Sequence, residues 1–196
     1  MISMRIRLIG IFVVFLLLFS CNKTTNPKPR GYFRIDLPAK EYQNFVSDGD
    51  FSFDYPVYGI IDTISKEKNN NYLYYNIRFP EFKSTIYLTY FKNLKEDSID
   101  YIAEDLRTNI VYKHIIKADD IIETPFEKEE NRVYGIIYDI KGNTASNVNF
   151  YITDYSSHFL SGSLYFEARP NKDSLAPVIT FFRQDILHLL ETFEWK

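Results

Sequence analysis

The chain has 196 residues, 45% hydrophobic and 17% aromatic, with 16 Tyr, 17 Phe and a single Cys. That composition excludes a disordered or low-complexity polymer and supplies one sizeable core, while the lone Cys excludes an internal disulfide or a multi-cysteine metal centre. A formal net charge of −3 gives no basic surplus for nucleic acid.

Residues 1–20, MISMRIRLIGIFVVFLLLFS, place Arg5 and Arg7 before an apolar run from Leu8 to Phe19. That run is too short for an ordinary spanning helix, which needs roughly 20 apolar residues, but it has the length of a signal-peptide core. Leu18-Phe19-Ser20-Cys21 follows: an apolar residue, a small residue and then the Cys. The order is similar to the lipobox of a bacterial lipoprotein. That resemblance implies diacylglycerol on the Cys21 thiol, cleavage before Cys21 and an acyl group such as palmitate on the new amino terminus. Two or more acyl chains hold a protein firmly to a membrane. Residues 21–30 then read as a lipidated flexible tether, polar and Pro-containing. Lys23, Lys28, Arg30 and Arg34 lie in residues 21–35 with no acid among them, whereas residues 36–196 hold 17 basic and 26 acidic side chains. A basic stretch beside a lipid anchor is attracted to anionic headgroups.

Residues 31–196 read as one domain. Alternation of period two predicts strands at 72–79 and 85–91, with similar runs near 51–55, 58–64, 132–140, 147–154 and 159–167. Short polar connections at Gly142-Asn143 and Tyr155-Ser156-Ser157 predict antiparallel neighbours. Ser65 to Asn71 reads as an exposed loop. Apolar spacing predicts a helix between Glu96 and Val111, and a second from Asp173 to Trp195 with Pro177 in its first turn. The expected fold is α+β: a mostly antiparallel sheet of about seven strands with two amphipathic helices packed on it.

Catalytic signatures are weak. The histidines His114, His158 and His188 have no metal-binding spacing, and no nucleophile elbow or phosphate-cradling glycine loop occurs. His114 with Asp119 and Asp120 is the best metal-like or hydrolytic cluster; the alternative is a strand-end His before a solvated acidic turn. No cofactor is expected. Gly142-Asn143-Thr144-Ala145-Ser146-Asn147 offers amides and hydroxyls to a ligand or partner, or else forms a plain turn. Tyr32, Tyr42, Tyr58, Tyr72, Tyr74 and Tyr87 either fill a sheet face or furnish an interaction surface.

Four stretches together resemble the gliding-motility lipoprotein GldD family of Bacteroidota. They are Pro29–Pro38; Tyr112-Lys-His-Ile-Ile-Lys-Ala-Asp119; Gly142–Ser146 with Val148–Asp154 and His158–Phe166; and Pro170-Asn171, Asp173–Pro177 and the ending Glu191–Lys196. The resemblance implies a cell-envelope component required for gliding, linked to the type IX secretion and motility machinery, with no known catalytic residues. It makes Tyr112, Lys113, His114, Lys117 and Asp119 candidate interaction residues, with Asn143, Thr144, Ser146, Asn147 and His158 beside them. Surface-exposed lipoproteins of these bacteria usually carry acids just after the acylated Cys. Here the first acid is Asp36, which favours the periplasmic side. The expected partners are the membrane, through Cys21, and other envelope proteins of motility or secretion. The rival expectation is a small-molecule or glycan-binding lipoprotein using Tyr, Asn143, Thr144 and Asn147.

Overall fold

Strand alternation in this chain sorts side chains onto two faces that meet different neighbours. The structure, a computed structural model, describes residues 35–48, 50–63 and 72–196. The signal-like segment, Cys21, the tether, Tyr32 and the 65–71 loop lie outside the described residues.

The order is β1 (Tyr42–Val46), β2 (Phe51–Pro56), β3 (Ile60–Thr63), β4 (Tyr72–Phe79), β5 (Ser84–Phe91), α1 (Glu96–His114), β6 (Ala118–Lys128), β7 (Val133–Gly142), β8 (Ser146–Thr153), β9 (Phe159–Phe166), α2 (Lys172–Thr192) and β10 (Glu194–Trp195). Seven strands form one sheet in the order β3-β4-β5-β9-β8-β7-β6, and β1-β2-β10 form a second. Every pairing is antiparallel. The α+β class is as expected, with a different seventh strand. The run at 51–55 belongs to the small sheet, and β6 takes its place at the edge of the large one.

One face of the large sheet carries Tyr75, Ile77, Phe79, Ile86, Leu88, Tyr90, Val148, Phe150, Ile152, Leu160 and Leu164. It packs against Val178, Phe181, Phe182, Ile186, Leu189 and Leu190 of α2 and against Phe51 and Phe53 of β2. Gly162 fits here because Phe150 lies directly opposite: a Cβ on Gly162 would sit 2.1 Å from the Phe150 ring. On the other face, Ile99 and Ile110 of α1 pack on Tyr138, Ile140, Tyr151 and Phe159. The helix carries the chain from the central β5 to the far edge strand β6 and covers only the β7-β8-β9 half on the way. Hence β8, walled on both sides, is buried along its whole length.

Several boundaries differ from the sequence reading. The first helix continues to His114, so His114 ends a helix and not a strand. The second helix starts at Lys172, capped by the Asn171 side chain accepting from the Ser174 N–H, which puts Pro177 in the helix interior. It stops at Thr192, and Trp195 pairs with Phe51 as part of β10. Among the described residues no helix is long and apolar enough to cross a membrane.

Candidate functional site

Helix α1 lies over half of the outer sheet face, and no other described element covers the rest. Its side chains come from alternate positions of β4, β5 and β9. Tyr72, Tyr74, Tyr87 and Tyr165 are 40%, 43%, 46% and 39% exposed. Tyr87 and Tyr165 meet edge to face at 5.7 Å between centroids, and Tyr72 stands in the same way on Phe91 at 5.4 Å. Register places Asn76 beside Tyr87, and Tyr87 beside Ser163, so polar groups separate the rings. The rim is fixed by Arg78, whose Nε donates to Asp62 at 2.5 Å. The result is a tyrosine-rich face with a recess of about 340 Å³ at Thr85, Tyr87 and Tyr165 and with hydrogen-bonding groups between apolar rings, the composition favoured where proteins bind proteins.

Tyr72, Tyr74 and Tyr87 were legible as sheet-face tyrosines; Tyr165 was missed because Tyr165-Phe166-Glu167 closes its strand without clear alternation. Tyr42 and Tyr58 do something else. Both donate to Asp185, at 3.1 and 2.7 Å, while the Lys40 Nζ donates to the same carboxylate at 2.6 Å. Asp185 is 1% exposed. Burial first, then the Asp185 charge and hydrogen bond, push the Tyr42 hydroxyl up to about 12. This cluster clasps the first described residues to α2.

Between α1 and the tyrosine face lies a cleft of about 290 Å³, lined by Phe91, Ile102, Leu106 and Ile110 with Lys113, His114, Asn149, Ser163 and Tyr165 among its polar groups. Burial, and then the Lys113 charge, push the His114 imidazolium below its usual range. At the floor, the Asn149 Oδ1 accepts from the Ser146 hydroxyl at 3.1 Å, and its buried Nδ2 has no partner.

The other candidates form a corner built by three of the four family-like stretches. Asp119 Oδ2 accepts from the Lys172 Nζ at 2.6 Å, and the Asn143 Oδ1 accepts from the Lys172 N–H at 2.8 Å. Lys117 and Asp119 flank Ala118, which pairs with Gly142. Gly142, at φ +113°, could carry no side chain there: a Cβ would lie 2.6 Å from the Lys117 carbonyl oxygen. Thr144, Ser146 and Asn147 are buried, and their polar atoms are used internally. Thr144 donates to the Ser146 carbonyl, and the Asn147 Nδ2 donates to the Ile140 carbonyl at 2.9 Å. Tyr112 lies in the last turn of α1. Among the described residues no three His, Cys, Asp or Glu side chains gather as a metal site.

His158 sits elsewhere. Its Nδ1 shares a 2.6 Å hydrogen bond with the Tyr90 hydroxyl, and its ring stacks on Trp195 at 5.3 Å. Beside it, Asp154 closes the β8–β9 loop. Burial alone would raise this carboxyl, but the Ser156 hydroxyl and the N–H groups of Ser157, His158 and Ser156 outweigh it and hold it at about 2. A groove of about 460 Å³ runs past Arg132, Asp154, His158 and Trp195.

No curated protein matches the chain. The model of one family, described as gliding motility lipoprotein GldD, matches residues 22–195, which takes in every described element of the fold and all of the four stretches except the final Lys196. The chain therefore belongs to the GldD family of gliding-motility lipoproteins.

Proposed function

We propose that the protein is a non-enzymatic, periplasm-facing component of the motility and type IX secretion machinery, held by lipid on Cys21, that binds other envelope proteins through its tyrosine face. The observation that carries this reading is the face itself: four half-exposed tyrosines side by side on three neighbouring strands. Aromatic anchors interleaved with hydrogen-bonding groups bind a partner surface at low entropic cost. The test is a Tyr74→Ser, Tyr87→Ser double variant. Both rings are on the surface, so melting temperature should stay within the small range of surface substitutions. Gliding and crosslinking to motility or secretion subunits should be lost. Full gliding with unchanged crosslinks would overturn the proposal.

A second reading, a small-molecule or glycan-binding lipoprotein, draws on one observation: the unpartnered Asn149 amide at the floor of the α1 cleft. It requires Asn149→Ala to abolish gliding while leaving the crosslinks of the tyrosine face in place.

A further inference from the structure

A tight turn joins α1 to β6, closed by the Lys117 N–H donating to the His114 carbonyl at 2.9 Å. Its tip is Ile115 and Ile116, 57% and 89% exposed, and Ile116 is the most exposed large hydrophobic side chain among the described residues. Lys113 and Lys117 are exposed on either side. Single exposed apolar residues need no explanation. Two adjacent isoleucines fixed at the point of a hydrogen-bonded turn, with a lysine on each flank, have the chemistry of a bilayer surface: apolar groups for the headgroup–acyl boundary, cations for anionic headgroups. Of the neighbouring acids, Asp119 is paired with Lys172 and Glu123 with Arg107. Asp120, hydrogen-bonded to the Ile121 N–H, keeps its charge, so two lysines at the turn face one carboxylate that has no such cation among the described residues.

Near its start, the described chain runs along α2. Asn44 donates to Asp54, whose N–H donates to Thr192. Tyr42 stacks on His188 and reaches Asp185. Lys40 reaches the Phe181 carbonyl. From residue 44 back to residue 40 the contacts thus climb α2 from 192 to 181, about 16 Å at 1.5 Å per residue, part of it the reach of the Lys40 side chain, toward the helix start. That start, Lys172, is the residue paired with Asp119, two positions beyond the turn. Residues 44 to 40 therefore run toward the end of α2 that carries the Lys172–Asp119 pair. Thirteen residues, 22–34, separate Cys21 from Ile35. A segment of that length reaches at most about 50 Å, which keeps the domain close to a bilayer that holds Cys21.

We propose that the Ile115–Ile116 turn is a membrane contact. The isoleucines seat at the headgroup–acyl boundary of the bilayer that holds the lipid anchor, and Lys113 and Lys117 rest on anionic headgroups. The proposal rests on the family's lipid anchor and is independent of the tyrosine face.

The test uses the full lipidated chain in vesicles. Acylation occupies Cys21, the only native Cys, so Ile116→Cys can be labelled alone with an environment-sensitive fluorophore. Tyr101→Cys, at the opposite end of α1 and 74% exposed, is the control. In phosphatidylglycerol-containing vesicles the label at 116 should shift to the blue and be quenched by spin-labelled lipid, while the label at 101 stays as in water. Adding Lys113→Glu and Lys117→Glu should return the 116 label most of the way to its value in water, since each lysine contributes roughly fivefold to the bound population. Equal, water-like signals at 116 and 101 would overturn the proposal. So would a shift at 116 that requires added envelope proteins and is absent with lipid alone.

Discussion

Buried carboxylates in this protein are answered in two ways, and each makes a prediction. Asp154 is 7% exposed and held at about 2, against an ordinary value of 3.8. The unfolded chain therefore binds a proton there more readily than the folded one. The carboxylate contributes stability above about pH 4, and that contribution is lost as pH falls through 2. It amounts to about 2 kcal/mol. Asp154→Ala should unfold more easily at neutral pH and show a flatter stability profile between pH 2 and 4, read by urea denaturation across pH. Asp185 is instead answered by Lys40, Tyr42 and Tyr58. The pair is asymmetric, because the Asp185 side chain is 0% exposed and that of Lys40 is 26% exposed. Lys40→Met strands a carboxylate that cannot reach water and should cost about 3 kcal/mol. Asp185→Asn lets Lys40 swing to solvent and should cost about 1 kcal/mol. Equal losses by thermal melting would mean that the charge is not the cause.

At the level of the element, contact decides what pattern permits. Gly162 lies under the Phe150 ring, so Gly162→Ala should destabilise by about 2 kcal/mol through overpacking. Phe150→Leu in the same chain should recover part of that loss, a non-additivity measurable in a double-mutant melting cycle. The strands at 72–79, 84–91, 133–142, 146–153 and 159–166 were legible because each buries at least one face. β1 and β6 were not, for the reason edge strands usually are not: Asp119, Asp120, Glu123 and Pro125 interrupt the alternation of β6, and an edge tolerates both charge and proline. Trp195 read as helix because its apolar neighbours continue the stripe of α2, yet pairing with Phe51 wins. Of the candidate site, three tyrosines could be read from β4 and β5. That α1 stops short of them could not, since coverage depends on where a helix crosses and not on its own residues. The turn Asn143–Asn147 looked available because its side chains are polar; burial spends those groups inside the turn.

For the molecule as a whole, the large sheet carries an aromatic surface beside the helix that lies over half of its outer face, while the opposite face is closed by α2 and the small sheet. The clasp at Lys40 also acquires a mechanical meaning in a lipoprotein of a moving envelope. Tension that enters from the amino-terminal side of Lys40 meets this residue before it meets any hydrogen bond of β1. Lys40 passes it sideways into Asp185 and thus into α2, whose apolar stripe runs through the core. Without that diversion the pull would act on β1, an edge strand bonded to one neighbour, which can open one residue at a time. Pulling on single molecules from residue 35 should accordingly give a lower first rupture force for Lys40→Met than for the native chain, and equal forces would place the resistance in β1 itself. A residue that contributes to stability at rest would then also set how much tension the domain bears before its first strand peels away.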